Sequence, residues 1–165
     1  MGRPGPVATE RDRPRVTLRG ARWDDASMVR AWRNDADAVR FSVSARPVAA
    51  GEHARWFARA VTDPQIRLWI AEENGIPVGQ VRVDLDGESG VVSIAVAASA
   101  RGRGVGQQML RLALEEIQRQ HIVTTMTAVT HPDNQASIHA FERVGFRRRD
   151  MSEEGLVVLE LTLDS

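Results

Sequence analysis

The sequence ASARGRGVGQQMLRLALEEI, residues 98–117, joins a strand-like run to a long helical pattern through a glycine-rich loop. Gly102, Gly104 and Gly106 occupy alternate positions of that loop, with an arginine before each of the first two. A helix N-terminus presents free backbone N–H groups and partial positive charge, and glycine lets the backbone approach an anion closely. The loop therefore predicts a site for an anion such as a pyrophosphate. A tight turn with solvated arginines is the alternative.

Two common phosphate-binding motifs do not fit this loop. A Walker loop needs a lysine, and the chain contains none. A dinucleotide-binding fingerprint needs a third glycine or alanine where this sequence has Gln107. The chain also lacks cysteine and tyrosine, which excludes a disulfide framework, a thiolate nucleophile and a phenol acting as general acid.

Composition limits the class of protein and its partners. The 22 basic and 22 acidic residues balance, which does not favour a nucleic-acid partner. No apolar run is long enough to span a bilayer, so no membrane association is expected. Residues 1–14 lack the apolar segment of a secretory signal, and we predict a flexible tail there and a cytoplasmic protein. Residues 15–165 are predicted to form one domain.

Hydrophobic periodicity predicts a mixed α/β fold. Strands are predicted at 15–21, 66–73, 76–86, 90–97, 122–129, 146–151 and 155–163. Helices are predicted at 24–35, 35–41, 49–63, 104–120 and 133–145. The Asn74–Gly75 pair is a strong hairpin signal between two of the strands. This order gives a mostly antiparallel sheet with one parallel crossover.

Two motifs at a characteristic separation carry a resemblance to a known family. The spacing Arg-x-x-Gly-x-Gly at Arg101, Gly104 and Gly106 resembles the acyl-CoA pyrophosphate loop of the GNAT superfamily of N-acetyltransferases. The run HPDNQASIHAFERVGF, residues 131–146, is similar to a second signature of that superfamily. Its matching positions are Asn134, Ser137, Phe141, Glu142, Gly145 and Phe146. The resemblance covers roughly residues 15–163.

The resemblance implies a fold and a cosubstrate. It implies an α/β (α+β) domain whose central sheet splays between strands 4 and 5 and carries helices on both faces. Acetyl-CoA is the implied acyl donor, with no metal. Its pantetheine arm and pyrophosphate are expected to contact one set of residues. These are Ile94, Ala95, Val96, Arg101, Gly102, Arg103, Gly104, Val105, Gly106, Gln107, Asn134, Ser137 and Phe141. From the residues alone, Asn134 is equally a helix N-cap and Val96 a core strand residue.

The implied reaction is direct attack by an amine on a thioester. The amine must lose a proton, and the developing oxyanion needs a donor, for which the N–H of Val96 is a candidate. Many family members carry a tyrosine where this chain has Phe141, so no dedicated acid is expected there. Glu88 and His131 are the candidate catalytic bases, and a solvated or structural role is the alternative for both.

The front of the chain resembles narrower groups. The run RWDDASMVRAWRNDADAVRF, residues 22–41, is similar to ribosomal-protein N-terminal acetyltransferases and to aminosugar N-acetyltransferases of the pseudaminic-acid pathway. AGEHARWF, residues 50–57, is similar to the aminosugar group. The candidate substrate-binding residues are Arg33, Asn34, His53 and Trp56. An amphipathic helix with core aromatics and surface arginines is the alternative.

The sequence leaves several functions open. The leading hypothesis is an acetyl-CoA-dependent N-acetyltransferase that acts on a small-molecule amine such as a nucleotide-linked aminosugar, as a monomer or homodimer. A protein N-terminal acetyltransferase and a non-catalytic acyl-CoA-binding module are the alternatives. An antibiotic-inactivating enzyme would need a more acidic acceptor site, for which the acidic run 150–154 is the only sequence support.

Overall fold

The computed structural model describes residues 15–42 and 44–164, so the predicted tail, 1–14, lies outside the described part. Its strands are β1 (Val16–Gly20), β2 (Ile66–Glu73), β3 (Ile76–Asp86), β4 (Ser89–Val96), β5 (Thr125–Thr130), β6 (Arg147–Arg148) and β7 (Val157–Thr162). Its helices are α1 (Ala26–Arg33), α2 (Ala36–Arg40), α3 (Ala50–Thr62), α4 (Val105–Gln120) and α5 (Gln135–Arg143). Short 3-10 turns cover Trp23–Asp25 and Ala98–Ala100.

The strands form one sheet in the order β1-β2-β3-β4-β5-β7-β6. Every neighbouring pair is antiparallel except β4 and β5, which are parallel and are joined by α4. A parallel pair needs a crossover connection, and the amphipathic α4 supplies it. The predicted mixed α/β class and its single parallel crossover are confirmed.

The sheet splays at this parallel pair. β4 and β5 pair only at their first three positions, Ser89 to Val91 on β4, and then separate. On the other edge of β4, the N–H of Ala97 donates to the carbonyl of Val78 at 2.8 Å. Since polar groups alternate between the two edges of a strand, Ile94 and Val96 turn their N–H and C=O groups towards the gap. The Val96 carbonyl accepts from Arg101, and the other three groups are turned to the gap without a strand partner.

Helices cover both faces of the sheet. On one face, α4 buries a stripe of apolar side chains at helical spacing: Val105, Met109, Leu110, Ala113, Leu114 and Ile117. On the other, Val29 of α1 and Phe57 and Ala60 of α3 pack with Leu68 and Ile70 of β2. These stripes follow the three- and four-residue spacing that the sequence shows. The two cores hold the glycine loop and α1–α3 at fixed positions around the gap.

Some element bounds differ from the sequence prediction for identifiable reasons. The strand predicted from residue 122 begins at Thr125, because the N–H of Thr124 instead reaches the carbonyl of Glu88. The first helix is preceded by a 3-10 turn. There the Asp25 carboxylate accepts from the N–H of Arg22 at 2.7 Å and pairs with Arg19 at 2.8 Å. The strand predicted over 146–151 keeps only two residues.

One glycine in the sheet allows a strict test of the packing beside the gap. A Cβ at Gly79 would collide with the carbonyl oxygen of Ala95 and lie 3.0 Å from the Met109 side chain. The backbone of β4 cannot yield without moving the gap, so Gly79→Ala is expected to lower the free energy of unfolding by about 1–3 kcal/mol. At Gly20 a Cβ meets nothing within 4 Å. Gly20→Ala is the control and should stay within about 0.5 kcal/mol in urea unfolding.

Candidate active site

A cleft of about 1860 Å³ opens where β4 and β5 separate. Pockets for drug-sized ligands usually measure about 300–1,000 Å³, so this cleft has room for more than one small molecule. Every residue that the sequence predicts to hold the cofactor lines it. The opposite wall comes from α1, α2, α3 and β3. We call the part lined by Arg33, His53, Arg55, Trp56, Arg59 and Arg82 the acceptor side.

The glycine loop ends in the N-terminus of α4. Gly104 is the residue before the helix and has φ of +79°, and Gly102 has φ of +78°, a region that favours glycine. No side chain caps the helix, and its first turn carries no acidic residue. Its first N–H groups are therefore available to an anion. A Cβ at Gly106 would lie 3.3 Å from Val96, so the loop packs closely on the end of β4.

Both arginines of the loop are already paired. Arg101 binds Asp35 at 2.8 Å and Asp37 at 3.1 Å, and its Nε donates to the carbonyl oxygen of Val96 at 3.1 Å. Arg103 binds Glu73 at 2.9 Å. The sequence expectation placed Arg101 alongside a pyrophosphate, whereas its guanidinium contacts the acceptor wall of the cleft in this structure. The free charge of the loop is that of its backbone amides and the helix dipole.

The residues from the second motif line the far side of the gap. The Asn134 side chain caps α5 by accepting from the N–H of Ser137 at 3.2 Å, and it also faces the cleft. Phe141 is buried and packs edge-on against Phe146, with 5.1 Å between the ring centroids. Phe141 therefore offers an apolar wall without a proton donor.

Aromatic rings and positive charge surround His53 on the acceptor side. His53 is buried, its ring lies 5.3 Å from Trp56 and 5.9 Å from Phe57, and its Nε2 has no hydrogen-bond partner. Burial, together with the charges of Arg30 and Arg33, holds the pKa of His53 below its usual value. The imidazole is thus neutral near pH 7, and its surroundings are electropositive.

Asn34 does not line the cleft, although the sequence predicts a substrate contact. Its Nδ2 donates to the carbonyl of Val48 at 2.9 Å, and its Oδ1 accepts from the N–H of Val48 at 2.7 Å. Both ends of the amide are used to fix the connection between α2 and α3. The structure gives Asn34 a structural contact, and a contact of Asn34 with substrate stays a prediction.

Glu88 and His131, the candidate bases, also lie outside the cleft. Glu88 is exposed in the turn before β4, at the opposite end of that strand from Val96. His131 follows β5, where its Nδ1 accepts from the N–H of Asp133 at 3.1 Å and its ring lies 5.7 Å from Phe41. Neither side chain lines the cleft, and a catalytic role for either residue stays a prediction.

Sequence reasoning missed several residues of the acceptor side. Arg82 places its guanidinium 5.3 Å from the Trp56 ring and pairs with Asp84 at 2.9 Å. Gln80, two residues earlier on β3, has a buried Oε1 without a partner. Alternation along β3 already put Gln80, Arg82 and Asp84 on one face. On α3, Glu52, Arg55 and Arg59 are spaced three and four residues apart, so the sequence already places them on one face of the helix.

Two negative observations apply to residues 15–42 and 44–164. No group of three or more histidine, aspartate or glutamate side chains in this part could hold a metal ion. No helix in the same part is long and apolar enough to cross a membrane.

The gap, the free amides at the start of α4 and the adjoining acceptor side form one continuous cleft. A family model described as "Acetyltransferase (GNAT) domain" matches residues 15–147, and the chain belongs to this family. The resemblance to the GNAT superfamily and the predicted splayed sheet are thereby confirmed.

Relatives and solved structures agree with the family. An aminoglycoside N(6')-acetyltransferase type 1 of Klebsiella pneumoniae is 27% identical over 150 residues, which cover 81% of this chain and 75% of that protein. A domain from Methanocaldococcus jannaschii superposes with a TM-score of 0.81 at 22% identity, covering 91% of this chain and 99% of that domain. The structure of aminoglycoside acetyltransferase AAC(6')-Ib in complex with coenzyme A superposes with a TM-score of 0.76 at 23% identity. The match covers 90% of this chain and 95% of that chain.

The protein is therefore an acetyl-CoA-dependent N-acetyltransferase of the GNAT type. The residues present fit acetyl-CoA, because the uncapped start of α4 lines the cleft and strand groups without a strand partner face the gap. The family supplies the reaction type and the acyl donor. The acceptor amine has to be argued from the acceptor side itself.

The neutral His53 gives a prediction for stability against pH. Its pKa is lowered in the folded protein, while the unfolded chain keeps the usual value of about 6.5. The stability that the neutral imidazole contributes is fully present above about pH 6.5 and is lost as the pH falls towards the lowered pKa. The advantage of the wild type over His53→Gln in free energy of unfolding should therefore shrink between about pH 8 and pH 5.5. Parallel curves for the two proteins would contradict the assigned environment.

Proposed function

We propose that the protein transfers the acetyl group of acetyl-CoA to a small amine that also carries an anionic group, such as a nucleotide-linked aminosugar. The observation that carries this proposal is the excess of arginine on the acceptor side. A phosphate or carboxylate on the acceptor would be bound there by charge-assisted hydrogen bonds, which are stronger than neutral ones.

The arginines of the acceptor side are mostly uncompensated. Among the described residues, no carboxylate lies within 4.0 Å of the guanidinium groups of Arg33, Arg55 or Arg59. The two carboxylates that line the cleft are themselves paired. Asp37 binds Arg101 at 3.1 Å, and Glu52 binds Arg46 at 3.5 Å.

Two further features support an anionic acceptor. Arg33 has a buried Nη1 without a hydrogen-bond partner, a donor that a ligand oxygen would satisfy. Trp56 presents an aromatic surface next to Arg82, which suits stacking on a base or sugar. The resemblance of residues 22–57 to aminosugar N-acetyltransferases points to the same acceptor class.

The chemistry needs little from ionisable side chains. Acetyl-CoA supplies the acetyl group as a thioester, and the neutral amine attacks its carbonyl carbon. The C–N bond forms, the C–S bond breaks, and the sulfur leaves as a thiolate that is protonated. The N–H of Val96 is turned towards the gap and would donate to the developing oxyanion. Because Phe141 has no proton to donate, the thiolate takes its proton from water or takes the one that the attacking amine releases.

An aminoglycoside acceptor is the second candidate, because the Klebsiella pneumoniae relative is an aminoglycoside acetyltransferase. Aminoglycosides are polycations, so they need carboxylates where this chain has arginines. The acidic run 150–154 does not line the cleft. A peptide N-terminus needs an open groove, and a non-catalytic module would bind acetyl-CoA without turnover. The charge of the acceptor side favours the anionic small molecule over the aminoglycoside.

A matched pair of acceptors tests the proposal. Thiol release from acetyl-CoA is measured with an aminosugar and with its nucleotide-linked form, alongside an aminoglycoside and a short peptide. We expect kcat/KM to be at least about 10-fold higher for the nucleotide-linked form, and to fall as salt is raised. Equal rates with the two forms, or a preference for the aminoglycoside, would refute the anionic acceptor. Light scattering on the same preparation tests the prediction of a monomer or homodimer.

A further inference from the structure

Arg101 joins two parts of the cleft that are far apart in the sequence. One guanidinium nitrogen binds Asp35 at 2.8 Å, another binds Asp37 at 3.1 Å, and Nε donates to the carbonyl of Val96 at 3.1 Å. All three nitrogens of the side chain are therefore used. The guanidinium is planar and rigid, so these contacts fix the relative position of α2 and the end of β4.

The carboxylate of Asp35 has two functions at once. Its Oδ1 caps α2 by accepting from the N–H groups of Asp37 and Ala38, and the same oxygen binds Arg101. The pKa of Asp35 is lowered mainly by the hydrogen bond from Arg101. α2 has only five residues and buries none of them, so it depends on its cap and on this contact. Its residues Asp37 and Ala38 line the cleft.

The other end of the contact lies at the gap. The peptide between Val96 and Ala97 is held on both sides, because its carbonyl accepts from Arg101 and its N–H donates to Val78 at 2.8 Å. This fixes the residue whose own N–H is turned to the gap. A movement of α2 would therefore be transmitted to the position of Val96.

We propose that Arg101 is a positioning residue that holds α2 against the acceptor side and fixes Val96 at the gap, rather than a ligand of the pyrophosphate. Three of its five N–H groups are engaged by Asp35, Asp37 and Val96, so a phosphate would compete with two carboxylates for this guanidinium at a cost in these contacts. The backbone amides of the loop carry no such cost. The proposal rests on the proposed function only for its kinetic consequence, which is that acceptor affinity depends on Arg101.

The test compares Arg101→Ala with the double variant Asp35→Asn/Asp37→Asn. Coenzyme A affinity is measured by calorimetry, and amide hydrogen exchange is followed on the peptide that covers Ala36–Arg40. Arg103→Ala is the matched control for exchange, because Arg103 lies in the same loop but pairs with Glu73 of β2. Arg101→Lys measures rescue, since one ammonium group cannot bridge three partners in the geometry of a guanidinium.

Loss of the Arg101 contacts is expected to quicken amide exchange on α2 and to leave the affinity for coenzyme A nearly unchanged. In Arg101→Ala and in the double variant, exchange on α2 should quicken by about 10-fold, with coenzyme A affinity within about threefold of wild type. The KM of the acceptor should rise by about 10-fold in both, and combining the changes should add little, because the residues share one contact. Arg101→Lys should restore part of the acceptor KM, and Arg103→Ala should leave α2 exchange as in the wild type.

The opposite pattern would overturn the proposal. A loss of about 10-fold or more in coenzyme A affinity for Arg101→Ala, with wild-type exchange on α2, would make Arg101 a phosphate ligand. The proposal would also be overturned if the double variant matched the wild type in both amide exchange on α2 and the KM of the acceptor. Amide exchange on α2 and coenzyme A affinity can both be measured without an acceptor amine. If no amine is acetylated while these two readouts follow the expectation, the proposed function fails and the role of Arg101 stands.

Discussion

Gly106→Glu is expected to reduce the affinity for acetyl-CoA by at least about 100-fold, which is about 2.7 kcal/mol. The new side chain would start 3.3 Å from Val96 and carry a carboxylate into the first turn of α4. That charge would occupy the free N–H groups and repel the pyrophosphate. Isothermal calorimetry with acetyl-CoA measures the loss.

Gly104→Asp tests the same site, but it strains the backbone and makes no close contact with a neighbouring side chain. A Cβ at Gly104 meets nothing within 4 Å, so its cost is the φ of +79° and the added charge. The matched control is Gly87→Asp. Gly87 also has a positive φ, +58°, and a Cβ there meets nothing within 4 Å, but it lies in the turn at the other end of β4. We expect Gly104→Asp to lose binding and Gly87→Asp to stay within about twofold of wild type. Retained affinity in both loop variants would place the pyrophosphate elsewhere.

The second large effect concerns the charge of the acceptor side. Arg33→Gln is expected to lower kcat/KM for a nucleotide-linked aminosugar by about 10- to 100-fold, because a charge-assisted hydrogen bond is worth about 1.5–3 kcal/mol. With the uncharged aminosugar the loss should be much smaller, since that acceptor has no phosphate to bind. Arg59→Gln should show the same direction, because Arg59 of α3 also lines the acceptor side.

The control for net charge is Arg119→Gln. Arg119 is exposed on the last turn of α4, where it pairs with Glu116 at 2.7 Å, and it does not line the cleft. The acceptor preference of this variant should equal that of the wild type. If Arg33→Gln lowers the rate equally for the charged and the uncharged acceptor, its effect is on structure or on acetyl-CoA, and the anionic subsite is refuted.

The parts of the fold that the sequence predicted are those set by local rules. The hairpin at Asn74–Gly75 follows from turn chemistry, and α4 follows from an apolar stripe that begins directly after Gly104. The resemblance then supplied what local rules cannot, namely that β4 and β5 separate. The residues predicted to hold the cofactor all line one cleft, and they lie in two short segments, 94–107 and 134–141.

The acceptor side was harder to predict because it is assembled from separate segments. The partners of Arg101 lie 64 and 66 residues earlier in the chain, and nothing near Arg101 marks them. Asn34 was assigned to substrate by its residue type, whereas its amide is used by the backbone of Val48. Glu88 was chosen for its strand, but the direction of β4 puts it at the opposite end of that strand from Val96.

The central claim is acetyl transfer to an anionic small amine, and one time course tests it most directly. Wild-type protein, acetyl-CoA and a nucleotide-linked aminosugar are combined, and free thiol and N-acetylated aminosugar are quantified in the same samples. The account predicts one thiol released per aminosugar acetylated, at a rate above that with an aminoglycoside. Acetyl-CoA binding without thiol release for any amine, or faster transfer to the aminoglycoside, would contradict it.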